Sequence, residues 1–200
     1  MTPTATPATY GRDASIARFS VARYQKMIEV GILTPEDKVE LLENYVVLKM
    51  PRNPPHDGTI QLDTKLLAPL IPPGWGLRVQ LTVVVLDSQP EPDFAVVRGG
   101  ERTYLTRHPG AADVSLVIEV ADSSLLRDQR DKARIYARGG IPVYWIVNLV
   151  DRQVEVYTQP SGPTALPSYG SEQIYQSGDH LPLILDGTTV GTVAVADLLP

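Results

Sequence analysis

A chain of 200 residues with 43% apolar content can bury one sizeable core, and no segment approaches the roughly 20 uninterrupted apolar residues of a membrane span. Zero cysteines exclude disulfides and thiolate metal sites, and fit a cytoplasmic protein. The formal net charge of −5 argues against a generally basic nucleic-acid binder, so a nucleic-acid partner requires the positive residues to gather on one face.

Residues 1–15, rich in Thr, Pro and Ala, are expected to form a disordered lead-in without the pattern of a secretory signal, followed by a single domain over residues 16–200. A helix is predicted from Val21 to Val30, with Ser20 as N-cap and Gly31 as stop. Pro35-Glu36-Asp37 opens a second short helix to about Glu43, and Tyr45 to Met50 reads as a strand entered through Asn44 at positive φ. After a Pro-rich loop from Pro51 to His56, Leu62, Leu66 and Leu70 at i, i+4 spacing predict a helix around Thr59 to Leu70. A long strand is expected from Leu77 to Leu86, a turn over Asp87 to Pro90, and a second strand from Asp93 to Val97. The nearly continuous apolar run Val114 to Ala121 is the pattern of a strand covered on both faces. A helix over Leu125 to Arg138, stopped by Gly139-Gly140, leads to strands Val143 to Asn148 and Gln153 to Thr158, joined by a turn at Val150-Asp151-Arg152. Beyond Gln159 one further strand, Leu181 to Leu185, is expected. This order indicates an α/β fold with a mixed sheet flanked by helices.

Three charged residues stand out. Glu119 interrupts the run Leu116 to Val120, where a charge costs several kcal/mol, roughly, unless a counter-charge or metal compensates it. Strand alternation puts it on the face of Val117 and Ala121. Asp93 enters a neighbouring strand from a Pro-bounded turn, a place where a carboxylate also serves as a simple cap. On the following helix, at about 100° per residue, Asp128, Lys132, Ile135 and Tyr136 share the packing side, so Lys132 is aimed at the sheet. The plainer alternatives are a structural Glu119–Arg pair and an Asp128–Lys132 helix salt bridge. Arg127, Arg130, Arg134 and Arg138 form a separate stripe, either a solvated face or a basic patch for a phosphate backbone. Two further residues are candidates for the site: Glu40, one turn before the first strand, is placed to reach the sheet edge, and His56 begins a helix, where a simple cap is the favoured reading. No His/Cys metal spacing exists, so oxygen ligands and Mg2+ or Mn2+ are the natural expectation.

These segments resemble the Uma-type restriction endonuclease family, a bacterial group within the PD-(D/E)XK nuclease superfamily. The most specific part is LVIEVADSSLLRDQRDKARIYARGGIPVYWIVNLVDRQVEVY, Leu116 through Tyr157, together with EPDFAVV. The resemblance implies a restriction-endonuclease-like mixed β-sheet core flanked by helices, with an N-terminal helical/β extension. It also implies that Asp93 is the PD aspartate and Glu119 the acid of the (D/E)XK element. The usual lysine position, two residues on, is Ala121, and Lys132 fits a lysine displaced to the next helix. Glu40 matches the glutamate of the family's E-L-x-x-G motif, with Asn44 in place of its glycine. The expected activity is Mg2+-dependent cleavage of nucleic acid, DNA in the first instance, by a homodimer. The metal is expected on Asp93 and Glu119, assisted by the Val120 carbonyl. A non-catalytic nucleic-acid- or partner-binding module on a degenerate nuclease fold is the alternative, favoured by Ala121 and the acidic charge. A glycosidase acid/base pair ranks last, because neither Trp lies near Asp93 in sequence.

Overall fold

The computed structural model describes residues 16–100 and 102–200; the expected lead-in over residues 1–15 lies outside them. Its centre is a six-stranded mixed sheet in the order β3 (Trp75–Val79), β4 (Phe94–Arg98), β5 (Val114–Ala121), β6 (Val143–Asn148), β7 (Gln153–Pro160), β8 (Tyr169–Gln176). Only β5 and β6 run parallel, and the helical segment between them supplies the crossover that a parallel pair requires. That segment is α3 (Leu125–Arg127), a π-helical turn (Asp128–Lys132) and α4 (Ala133–Gly139), ended by Gly140 at φ +74°.

All eight residues of β5 are buried, as the apolar run predicts. Leu116, Ile118 and Val120 join a core completed by Ile60 and Leu67 of α2 (Pro54–Leu67), the hairpin of β9 (His180–Leu185) and β10 (Thr188–Ala194), and α5 (Val195–Leu198). On the opposite face, Val117 and Ala121 pack with Ile135, Tyr136 and Tyr144. Glu119 therefore emerges beneath the π turn and α4, the face that strand alternation assigns to it.

Several predicted elements are corrected. The second helix is only a 3-10 turn over Pro35–Asp37, ended by Lys38 at φ 48°, and Val39–Leu42 forms β1 instead. It pairs with β2 (Tyr45–Leu48) across Glu43 and Asn44, both at positive φ as a type I′ hairpin requires. Cross-strand pairing and burial of Leu41 and Leu42 outweigh the local helix-start signal. The long strand from Leu77 stops at Val79 because Gln80 adopts φ 53°. The chain then turns at Leu86, with Val85 and Ser88 exchanging backbone hydrogen bonds. Helix α2 begins earlier than its leucine spacing suggests, capped by Asn53 with Pro54 at its first position. The structure adds β8 and β10 to the single strand expected beyond Gln159: β8 is an edge strand with little burial, and in β10 three β-branched residues precede Gly191 and two follow it, with a register shift there against β9.

The arginine stripe is neither a solvated face nor an open phosphate patch. Arg134 and Arg138 both bind Glu43, Arg138 also binds Asp87, and Arg127 binds Glu40 and the Leu48 carbonyl. These pairs fasten the β1–β2 hairpin to the crossover helix, while α1 (Val21–Glu29) is tied to β1 by the Tyr24 hydroxyl on the Val39 carbonyl. Arg130 alone of the four stays on the surface, bound to its neighbour Asp131. No helix among the described residues is long and apolar enough to cross a membrane.

Asp63, on the inner side of α2, is fully buried, and neither carboxylate oxygen has a hydrogen-bond partner among the described residues. Burial, with Asp93 nearby, pushes this carboxyl up to about 8. A raised carboxyl favours the folded state while protonated, and that contribution is lost as pH rises from the unfolded value towards the folded one. Asp63→Asn is expected to gain on wild type by about 5 kcal/mol in urea denaturation between about pH 4 and pH 8. A constant difference across that window would show that Asp63 does not titrate in it.

Candidate active site

Antiparallel pairing of β4 with β5 sets Phe94 opposite Ile118, which brings Asp93, just ahead of β4, against the Glu119–Val120 end of β5. The Asp93 Oδ2 atom accepts the Val120 N–H at 2.9 Å, and the Asp93 N–H points at Glu119 Oε2 at 3.4 Å. Asp93 is thus bound across the sheet and is not a local turn cap.

The π turn brings the third predicted residue in. Asp128, Lys132 and Tyr136 are all buried towards the sheet, at i, i+4 and i+8. The Lys132 Nζ lies 2.8 Å from Glu119 Oε1, and the Tyr136 hydroxyl donates to the same oxygen at 2.7 Å. The helix pair with Asp128 also exists, at a looser 4.0 Å. Ala121 is fully buried beneath the helix, so the ammonium reaches Glu119 from the opposite wall.

Glu40 sits in β1, a correction to the expected position before the first strand, and lines the same pocket. Its Oε1 accepts from Arg127 at 3.3 Å, and its Oε2 accepts the Glu91 N–H at 3.4 Å. His56 is also corrected. Asn53 caps α2, accepting the His56 N–H, while the imidazole Nε2 lies 3.2 Å from Asp93 Oδ2. Sequence reasoning cast His56 as a cap and Tyr136 as packing. The i, i+4 step from Lys132 was a usable signal for Tyr136; for His56, a candidate from its place at the helix start, nothing pointed to Asp93, 37 positions away.

The electrostatics follow from burial. Burial pushes the Asp93 carboxyl up, but the His56 hydrogen bond, the charges of His56 and Lys132 and the Val120 N–H outweigh it, and the net shift is downward. Hydrogen bonding to Asp93 raises His56 against the opposing effect of its own burial. Burial pulls the Lys132 ammonium down, yet Glu119, Glu40 and Asp128 together drive it above the ordinary lysine range, so it remains a cation. Burial is also the main force raising Glu119, which Lys132 counters while Asp128 and Asp93 add to it.

The donor set fits a hard divalent cation. The carboxylates Glu40, Glu91, Asp93, Glu119, Asp122 and Asp128 line the pocket against Lys49, Arg52, Arg127 and Lys132, an excess of negative charge before His56 is considered. No ready-made group of three His, Cys, Asp or Glu ligands exists among the described residues. Mg2+ does not require one, because it is commonly bound through one or two carboxylates, keeping several waters and substrate phosphate oxygens.

Removing Lys132 leaves Glu119 buried without a counter-charge. Lys132→Met is expected to lose about 3 kcal/mol in urea denaturation. Lys132→Met combined with Glu119→Gln should recover at least half of that loss. Equal losses in the single and double variants would show that the two side chains are not energetically coupled.

The chain matches the Uma2 family, described as a putative restriction endonuclease, over residues 21–193. Its fold is similar to the crystal structure of a putative nuclease belonging to DUF820 from Anabaena variabilis, with a TM-score of 0.64 over 90% of this chain and 97% of that one. The two sequences are 12% identical, so that likeness concerns the fold alone. No curated protein matches the chain. With the family pattern covering nearly all of the described sequence, this protein belongs to the Uma2 putative restriction endonuclease family.

Proposed function

We propose that the protein is a divalent-metal-dependent phosphodiester hydrolase, an endonuclease acting on DNA. The observation that carries this reading is the convergence of Asp93, Glu119 and Lys132 in one acidic pocket. Asp93, Glu119 and the Val120 carbonyl would hold Mg2+ or Mn2+. When bound, the ion supplies a Lewis acid for a phosphoryl oxygen and lowers the pKa of water to give a nucleophile at neutral pH. Asp93 is kept ionised for this task by His56 and the Val120 N–H. Lys132, a permanent cation beside Glu119, orients the attacking water and stabilises the negative charge that builds on the phosphate. Tyr136 fixes the Glu119 carboxylate through its hydroxyl, and Glu40 adds negative charge from the hairpin wall. Cutting both strands of a duplex takes two such centres, so the expected partner is a second copy of the chain.

The test is plasmid nicking with added Mn2+, alongside calorimetric Mn2+ titration. Lys132→Ala is expected to lower the nicking rate by about a hundredfold or more. Glu119→Gln should lose both cleavage and Mn2+ binding. Wild-type Mn2+ affinity in Glu119→Gln removes Glu119 from the metal site. Ala121, in the usual lysine position, favours the rival binding-module reading, for which DNA retention without any nicking would decide.

A further inference from the structure

Four lysine and arginine side chains line the pocket, and three are already paired. Lys49 is bound to Glu91, Arg127 to Glu40 and Lys132 to Glu119. Arg52, on the loop before α2, has no carboxylate partner among the described residues, and its side chain is exposed. Its one polar contact there is neutral: an Nη1–H donates to the Gln80 Oε1 atom at 2.9 Å. The other end of the Gln80 amide donates from Nε2 to Asp93 Oδ1 at 3.3 Å, and the Gln80 backbone N–H donates to the Asp93 carbonyl at 2.9 Å. The chemistry of the two partners fixes the amide's direction, because a carboxylate only accepts and a guanidinium only donates. Gln80 adopts this place at φ 53°, a left-handed conformation that disfavours side chains larger than glycine and recurs where function imposes it.

We propose that Arg52 is the residue that grips a backbone phosphate of the nucleic acid beside the cleaved bond, and that Gln80 is a positioning residue holding Arg52 and Asp93 in fixed relation. The inference rests on the nuclease reading and adds to it the contact that registers substrate against the acidic centre. A guanidinium presented to solvent by a neutral amide keeps its full charge and most of its donors for phosphate. The charge of each of the three paired cations is already offset by a neighbouring carboxylate. Because the same amide supports Asp93, the phosphate contact and the metal-holding carboxylate share one support.

Two binding measurements separate the roles: anisotropy of a fluorescent DNA duplex with Ca2+ in place of Mn2+, over a range of salt, and calorimetric titration with Mn2+. Arg52→Ala should weaken duplex binding about tenfold and lower the salt slope by about one, with Mn2+ affinity unchanged. Gln80→Met removes the amide and keeps the strained backbone, while Gln80→Gly removes both. The two variants should differ in thermal stability, with glycine the more stable, yet weaken Mn2+ binding alike by about tenfold. A merely structural role would instead make their Mn2+ affinities follow their stabilities, and that result overturns the positioning role. Wild-type duplex affinity and salt slope in Arg52→Ala overturn the phosphate contact. A wild-type protein that binds neither Mn2+ nor duplex overturns the nuclease reading and this inference with it, whereas normal wild-type binding with indifferent variants overturns this inference alone.

Discussion

The buried pair of Glu119 and Lys132 is the interaction around which the rest of the molecule is arranged. Withdrawing two charges from water is expensive, and their attraction repays it only with close contact and further hydrogen bonds. Both conditions are met, with the ammonium at 2.8 Å and the Tyr136 hydroxyl on the same carboxylate oxygen. The contact also dictates helix geometry. A π turn over Asp128–Lys132 widens the helix where it faces β5, so that two charged side chains and a tyrosine can all turn inwards. Such turns are rare and are found disproportionately at functional sites.

The sheet supplies the other half of the arrangement. Because β4 runs antiparallel to β5, the start of one lies beside the end of the other, and two acids 26 positions apart meet at one rim. The parallel β5–β6 pair obliges the chain to cross over that same rim, which is how Lys132 arrives there. The hairpin of β1 and β2 then closes a wall of the pocket with Glu40. Acid geometry is thus a property of the sheet, and the placement of the cation a property of the helix.

Much of this was legible in the chain. The apolar run around Glu119 gave its strand, its burial and its face, because alternation and the cost of an uncompensated charge act locally. Helical periodicity gave the inward aim of Lys132 for the same reason. What escaped depended on contacts distant in sequence. Val39–Leu42 became a strand because it pairs with β2, against the proline and acids that announce a helix. The arginines looked free because their partners, Glu43 and Asp87, lie far away in sequence. Gln80 was illegible as a site residue and His56 stood only as a candidate beside the favoured cap, since each is defined by one side-chain contact to Asp93 made only in the folded chain.

The fastening of the hairpin has a consequence of its own. Arg134, Arg138 and Glu43 are only partly buried, within reach of dissolved ions. Coulombic clasps of this kind slacken as electrolyte accumulates, whereas the pair sealed under the helix is shielded from it. One rim of the cleft is therefore responsive to ionic strength while its floor is not, so concentrated salt would disturb the enclosure before it reached the acids inside.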